Sequence, residues 1–149
     1  MKKLTCLLLV LALVLSLSLS LLSGCSTAEE QNDSAQALLD CLTNYDIEGA
    51  KAYVSPSLSD QEIEQGLQDL ADALNRRSVE KLTMTNFYVG LKTEPGYTGT
   101  EKRINYQVTL SDDTKGRLET IWYSGQGYIS FYLTLDDPGV PQDENLIDI

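Results

Sequence analysis

The stretch RINYQVTLSDDTKGRLETIWYSGQGYISFYLTL, residues 103–135, decides the fold. Apolar and polar side chains alternate along it in three runs, Arg103 to Ser111, Arg117 to Ser124 and Tyr128 to Leu135. The breaks are Asp112 to Gly116 and Ser124-Gly125-Gln126-Gly127. A period of two marks strands, and Gly- and Asp-bearing interruptions mark hairpin turns. With Gly125-Gln126 as a two-residue turn, Tyr123 faces Tyr128, Trp122 faces Ile129, Thr120 faces Phe131 and Leu118 faces Leu133. One face then collects Leu118, Trp122, Ile129, Phe131 and Leu133, and pairing Leu110 with Leu118 adds Ile104, Tyr106, Val108 and Leu110. Upstream, Glu80 to Lys92 reads as another strand ending near Pro95-Gly96. Its two apolar sets, Leu82-Met84 and Phe87-Val89-Leu91, differ in parity, so a bulge near Thr85-Asn86 should curve the sheet.

Ahead of the strands the period is helical. Ala35, Leu38, Leu39, Leu42 and Tyr45 recur at three and four residues from a start at Asp33, which can cap with Gln36. Asn44-Tyr45-Asp46 interrupts, and Asp46 can cap a short helix carrying Ile47, Ala50, Tyr53 and Val54 inward until Ser55-Pro56-Ser57. A third helix opens with the capping box Ser59 to Glu62, buries Ile63, Leu67, Leu70, Ala71 and Leu74, and closes with Arg76 and Arg77 at the negative end of its dipole. The expected architecture is α+β, three helices packed on a curved four-stranded antiparallel sheet, over residues 33–135. Residues 136–149 read as an acidic mobile tail.

Helices followed by such a sheet, with the link Asn44-Tyr45-Asp46-Ile47-Glu48-Gly49-Ala50 between the first two, resemble the nuclear transport factor 2-like fold, also called cystatin-like or SnoaL-like. The resemblance implies a cone between helices and sheet. That family spans enzymes, ligand carriers and assembly modules, so function has to come from the residues. Its members often carry a short hairpin before the third helix, for which Ser55 to Ser59 is too brief.

The N-terminus reads as an address. Lys2 and Lys3 precede the apolar run Leu4 to Leu22, which ends in Leu22-Ser23-Gly24-Cys25. This is a signal-peptide pattern over residues 1–24, at the short limit for a membrane span and with Ser alternating with Leu in its second half. The tetrad resembles the lipobox of bacterial lipoproteins. The resemblance implies cleavage between Gly24 and Cys25, a diacylglyceryl group on the Cys25 thiol, and a domain on the extracytoplasmic face of the cell membrane. Two acyl chains hold where one leaks off, at about 0.8 kcal/mol per buried methylene. Residues 25–32 then form the lipidated Cys and a polar tether of up to about 25 Å.

Composition removes several chemistries. The 149 residues carry 11 Lys+Arg against 22 Asp+Glu, a net −11 with no basic run, which excludes a nucleic-acid partner. With no His there is no Ser-His-Asp or Cys-His system and no imidazole ligand for zinc. Of three Cys, Cys6 leaves with the signal and Cys25 takes lipid; Cys41, at helical spacing between Leu38 and Tyr45, reads as a core residue. No internal disulfide can form. The inward face offers only Tyr106, Thr120 and Trp122 as polar groups, too few for a general acid–base pair; Asp40 and Asp46 are the helix carboxylates nearest to it and read as capping or solvated groups. Asp112-Asp113-Thr114-Lys115-Gly116 lacks the ligand spacing of a calcium loop. No catalytic residue, cofactor or metal is therefore expected.

The outward face should present Asn105, Gln107, Ile121, Tyr123, Tyr128, Ser130 and Tyr132 with few charges besides Arg103 and Glu119. Tyr with few charges is interface chemistry. The first expectation is a non-enzymatic binding or assembly module acting through this face on a second copy of the chain or another protein, with the bilayer held by acylated Cys25. The alternative is a carrier of a small apolar ligand, with Tyr106, Trp122, Phe131 and Leu70 lining its pocket.

Overall fold

The computed structural model describes residues 28–56 and 60–136. The signal sequence, the lipobox and residues 137–149 of the tail lie outside the described residues, as does Ser59 of the capping box. The chain divides into two compact units between Asp33 and Ser34; of the first, residues 28–33 are helical, and the second carries everything else described.

Helix α1 covers residues 28–43. It starts earlier than the expected Asp33 cap, and residues 28–32, expected as tether, are helical. Ala28-Glu29-Glu30-Gln31 are all strong helix formers, and their propensity overrides the local cap. Its apolar stripe is as read: Ala35, Leu38, Leu39 and Leu42 are fully buried. Cys41 is a free thiol, half-buried against the core, and burial together with Asp46 and Asp40 pushes it up from its ordinary pKa. The chain turns at Tyr45, φ 58°, and Asp46 caps α2 (Ile47–Lys51), its carboxylate accepting from the Gly49 N–H at 2.9 Å. Asp46→Ala should cost about 1 kcal/mol in chemical denaturation, since that amide is then left without its acceptor.

Helix α3 (Asp60–Leu74) buries Ile63, Gly66, Leu67, Leu70, Ala71 and Leu74. Asn75 and Arg76 follow in the left-handed region, and Arg77 folds back so that Nε donates to the Leu74 carbonyl at 2.9 Å and Nη2 to that of Ala73 at 2.7 Å. Two orphan carbonyls at the helix end are thereby satisfied by a cation at the negative pole. Arg77 also reaches Asp112 at 3.2 Å, tying α3 to the loop of residues 111–114, which makes Asp112 a turn and ion-pair residue.

The sheet runs β1 (Val79–Glu94), β2 (Tyr97–Leu110), β3 (Lys115–Tyr123), β4 (Gly127–Leu135) in sequential antiparallel order. The expected bulge is present, a register shift between Met84 and Asn86. Three differences from the sequence reading matter. First, Pro95-Gly96 is a tight turn with Gly96 at φ 87°, and Glu94 pairs with Tyr97, so residues 97–102 are strand rather than connection. Second, Leu118 pairs with Tyr106, not Leu110, because Ser111-Asp112-Asp113 closes the hairpin tightly with Asp113 at φ 66°. The faces are unchanged by this four-residue shift, but the neighbours across the strands are not.

Third, Thr120 faces Phe131 and Leu118 faces Leu133 as read, but Trp122 then pairs with Tyr128 and Tyr123 with Gly127. Ile129 is the extra residue of a bulge, so Tyr128 turns into the core, 1% exposed, and Ile129 is only half-buried. The outward placement of Tyr128 is thus corrected. A segment outside the sheet fixes this geometry: Tyr128 N–H donates to Tyr53 O at 2.9 Å and Ser55 N–H donates to Tyr128 O at 2.7 Å, as a parallel bridge at Val54. The helices and the inner sheet face enclose one core, with Ile104, Tyr106, Val108, Leu110, Leu118, Phe131 and Leu133 from the sheet.

Candidate functional site

The residues expected to line a pocket belong to that core. Tyr106, Phe131 and Leu70 are at most 1% exposed, and burial, then Tyr128, raises the Tyr106 phenol far above its ordinary pKa. Trp122 is half-buried under the Lys102 ammonium, 4.3 Å from the ring centroid, a cation–π contact on the inner face. Asp40 is exposed and accepts from Gln36 Nε2 at 2.9 Å, and Asp46 is engaged as the α2 cap. Among the described residues no three Cys, Asp or Glu side chains converge as a metal site.

The outer sheet face holds two arrangements. Towards the β1–β2 turn, the Tyr123 ring stacks on Tyr97 with centroids 4.3 Å apart and planes 11° from parallel. The Tyr123 hydroxyl is hydrogen-bonded with Glu94 and Glu101, and burial, followed by Glu94, pushes its pKa up to about 12. Glu101 is 5% exposed, paired with Arg103 Nε at 2.6 Å and with Lys92 Nζ at 4.0 Å. Arg103 holds its carboxyl below the usual range. Tyr97 adds its hydroxyl to the Thr100 carbonyl at 2.9 Å and lies 3.0 Å from Ser124 Oγ. Tyr123, expected as a contact residue, is therefore covered by its own chain: the Tyr97 ring stacks on it and two carboxylates bond its hydroxyl.

At the other end of the face, across β1, β2 and β3, a groove of about 450 Å³ is lined by Lys81, Thr83, Gln107, Lys115, Arg117 and Asp136. Its floor is set by register: Thr83 pairs with Gln107 and Gln107 with Arg117. Lys115 is held at the lip, where its carbonyl accepts from the Asp136 N–H at 2.7 Å. Lys81, Lys115 and Arg117 are exposed and make no ion pair among the described residues. In a chain of net −11, three cations set against the one carboxylate of Asp136, around hydroxyl and amide groups, form a local site of opposite sign. Asn105, Ile121 and Tyr132, expected contact residues, lie half-buried between the two arrangements.

Sequence reading missed the groove. Gln107 was assigned to the face, but pairing Leu110 with Leu118 puts Arg117 opposite Ser111, four residues from its real neighbour Gln107. Lys81 and Lys115 lie towards the ends of β1 and β3, and neither was singled out for the outer face. The available signal was their shared outward parity.

No protein-family model matches the chain, and no curated protein matches it either. What fold and face define is a class: an α+β domain of three helices ahead of a four-stranded antiparallel sheet, with a cationic groove on the side of that sheet away from the helices. Among the described residues no helix is long and apolar enough to cross a membrane.

Proposed function

We propose that the chain is an extracytoplasmic lipoprotein, anchored through acyl chains on Cys25, whose helix-plus-sheet domain is a non-enzymatic binding module. The fold belongs with the nuclear transport factor 2-like, cystatin-like cones in this reading, supported by its order of helices and strands. The contact surface is the outer sheet face, and its focus is the groove of Lys81, Lys115 and Arg117 rather than the tyrosines. The partner is anionic, a carboxylate- or phosphate-bearing chain. The observation that carries the reading is the set of three exposed cations without an ion pair among the described residues, lining one groove against the single carboxylate of Asp136. Thr83 and Gln107 add neutral hydrogen-bonding groups for the partner's remaining oxygens.

The test is equilibrium binding of poly-L-glutamate, with inorganic polyphosphate as a second probe, to the full chain in vesicles. Charge-assisted hydrogen bonds contribute roughly 1.5–3 kcal/mol each, so Lys115→Glu with Arg117→Glu should weaken binding at least about a hundredfold. The thermal midpoint should barely move, because both side chains are exposed. Affinity of the unaltered chain should fall as salt rises, as expected for exposed charges. Equal affinity in the double variant sinks the reading.

A further inference from the structure

We propose that residues 137–149 of this chain are the resting occupant of the groove of Lys81, Lys115 and Arg117, an anionic tail that an outside partner must displace; the inference rests on the groove reading above and adds its regulation. The tail is rooted in the groove itself. Asp136, the last described residue, is exposed, lines the groove, and donates its N–H to the Lys115 carbonyl at 2.7 Å. Lys115 pairs with Thr109 and Thr109 with Lys81, so Asp136 begins a row that crosses the sheet to the far cation. The next row, Thr134, Arg117, Gln107 and Thr83, runs beside it.

The sequence that follows has the required sign. Residues 137–149 carry Asp137, Asp143, Glu144 and Asp148 and no Lys or Arg. Facing them, the groove sets three cations against the one carboxylate of Asp136. Pro138 has no N–H with which to extend the β3–β4 ladder, and Pro138-Gly139 is turn chemistry, so the sequence directs the chain off the line of β4 as soon as Asp137 is passed. The length is sufficient as well. From Asp136 to Lys81 is three strand spacings, about 15 Å. Asp143 is seven residues beyond Asp136, a reach of up to about 25 Å, so Asp143 and Glu144 can stand over any of the three cations with chain to spare.

Tethering turns this complementarity into competition. A short flexible link holds its far end at millimolar effective concentration, so carboxylates that bind weakly as free groups still fill the groove. A tail that occupies it about nine-tenths of the time lowers the apparent affinity for an outside anion about tenfold. A small anion with one or two charges then fails to displace the tail, whereas a polyanion that engages all three cations together succeeds. The groove thereby selects long anionic chains over small anions.

The test measures poly-L-glutamate binding to the full chain in vesicles, with Asp137→Asn, Asp143→Asn, Glu144→Gln and Asp148→Asn combined. Removing negative charge anywhere favours an anionic probe. A reference chain therefore carries the same change on α3, with Asp60→Asn, Glu62→Gln, Asp69→Asn and Asp72→Asn, all exposed and on the helix side of the sheet. The tail variant should bind about tenfold more tightly than the reference. A zero-length carbodiimide applied to the unaltered chain should also join Asp143 or Glu144 to Lys81 or Lys115 within single chains. Equal affinity in the tail variant and the reference, with Lys115→Glu and Arg117→Glu still weakening both, overturns the proposal and leaves the groove reading standing. Cross-links formed only between chains, and rising with chain density, assign the groove to a neighbour's tail and also overturn it. If Lys115→Glu with Arg117→Glu leaves the affinity unchanged in either background, the groove reading and this proposal fall together.

Discussion

Raising the pH from 10 to 12 should unfold the domain cooperatively. Three tyrosines keep their protons above the ordinary phenol value of 10: burial lifts Tyr128 to about 12, burial and then Glu94 lift Tyr123 to about 12, and Tyr106 is raised further by burial and then Tyr128. A group whose pKa is raised on folding contributes stability that is complete below its unfolded value and disappears as pH climbs through the folded one. For these phenols the loss begins near pH 10 and grows towards 12. Retaining a proton over about two pH units corresponds to on the order of 3 kcal/mol, so two such residues are comparable with the whole stability of a small domain. Tyrosinate absorbance and circular dichroism followed together check this. A late absorbance step should coincide with loss of sheet signal. A chain still folded at pH 12, with all eight tyrosines already ionised, refutes it.

The same tyrosines show what the sequence could and could not carry. Faces were legible where one period ruled: the α1 and α3 stripes and the inward sets of β2 and β3 are the core that was read, and opposite parities in β1 located the bulge at Thr85. Register was less legible, because alternation fixes which face a side chain takes but not which neighbour it meets. Leu110 opposite Leu118 and Tyr106 opposite Leu118 bury the same residues; only the closure of Ser111-Asp112-Asp113 distinguishes them. The cationic groove depends on that distinction, since it needs Thr83, Gln107 and Arg117 side by side. Residues 97–102 were obscured by Gly99 and by the consecutive charges Glu101-Lys102-Arg103, yet Glu101 is buried once Arg103 and Lys92 supply opposite charges. The bulge at Ile129 had no local signal in β4, because its cause, the Tyr53–Ser55 segment bonding to Tyr128, is remote in sequence.

That remote contact predicts the largest effect of a single substitution. Tyr128→Ala should destabilise the domain by about 3–5 kcal/mol, the cost of removing a large ring from a packed interior. The ring lies edge-on to Phe131 with centroids 5.7 Å apart, and both are buried in the core. Tyr132→Ala, half-buried on the outer face, should cost no more than about 1 kcal/mol. Gly127→Ala supplies an independent check on the bulge. Gly127 sits at φ 96°, and a Cβ there would stand 2.6 Å from the Tyr53 carbonyl oxygen, the acceptor of the Tyr128 N–H. Since that neighbour is backbone, the strand or the Tyr53–Ser55 segment must move, and stability should fall by about 2–3 kcal/mol without any side chain having been lost from the core. Urea denaturation of the three variants separates the two geometries for β4. If Ile129 were unbulged, Tyr128 would face solvent beside Tyr132 and the two tyrosine variants would behave alike. With the bulge, Tyr128→Ala must fall far below Tyr132→Ala, and Gly127→Ala must follow it although it removes nothing, because both disturb the place where the Tyr53–Ser55 segment is hydrogen-bonded into β4.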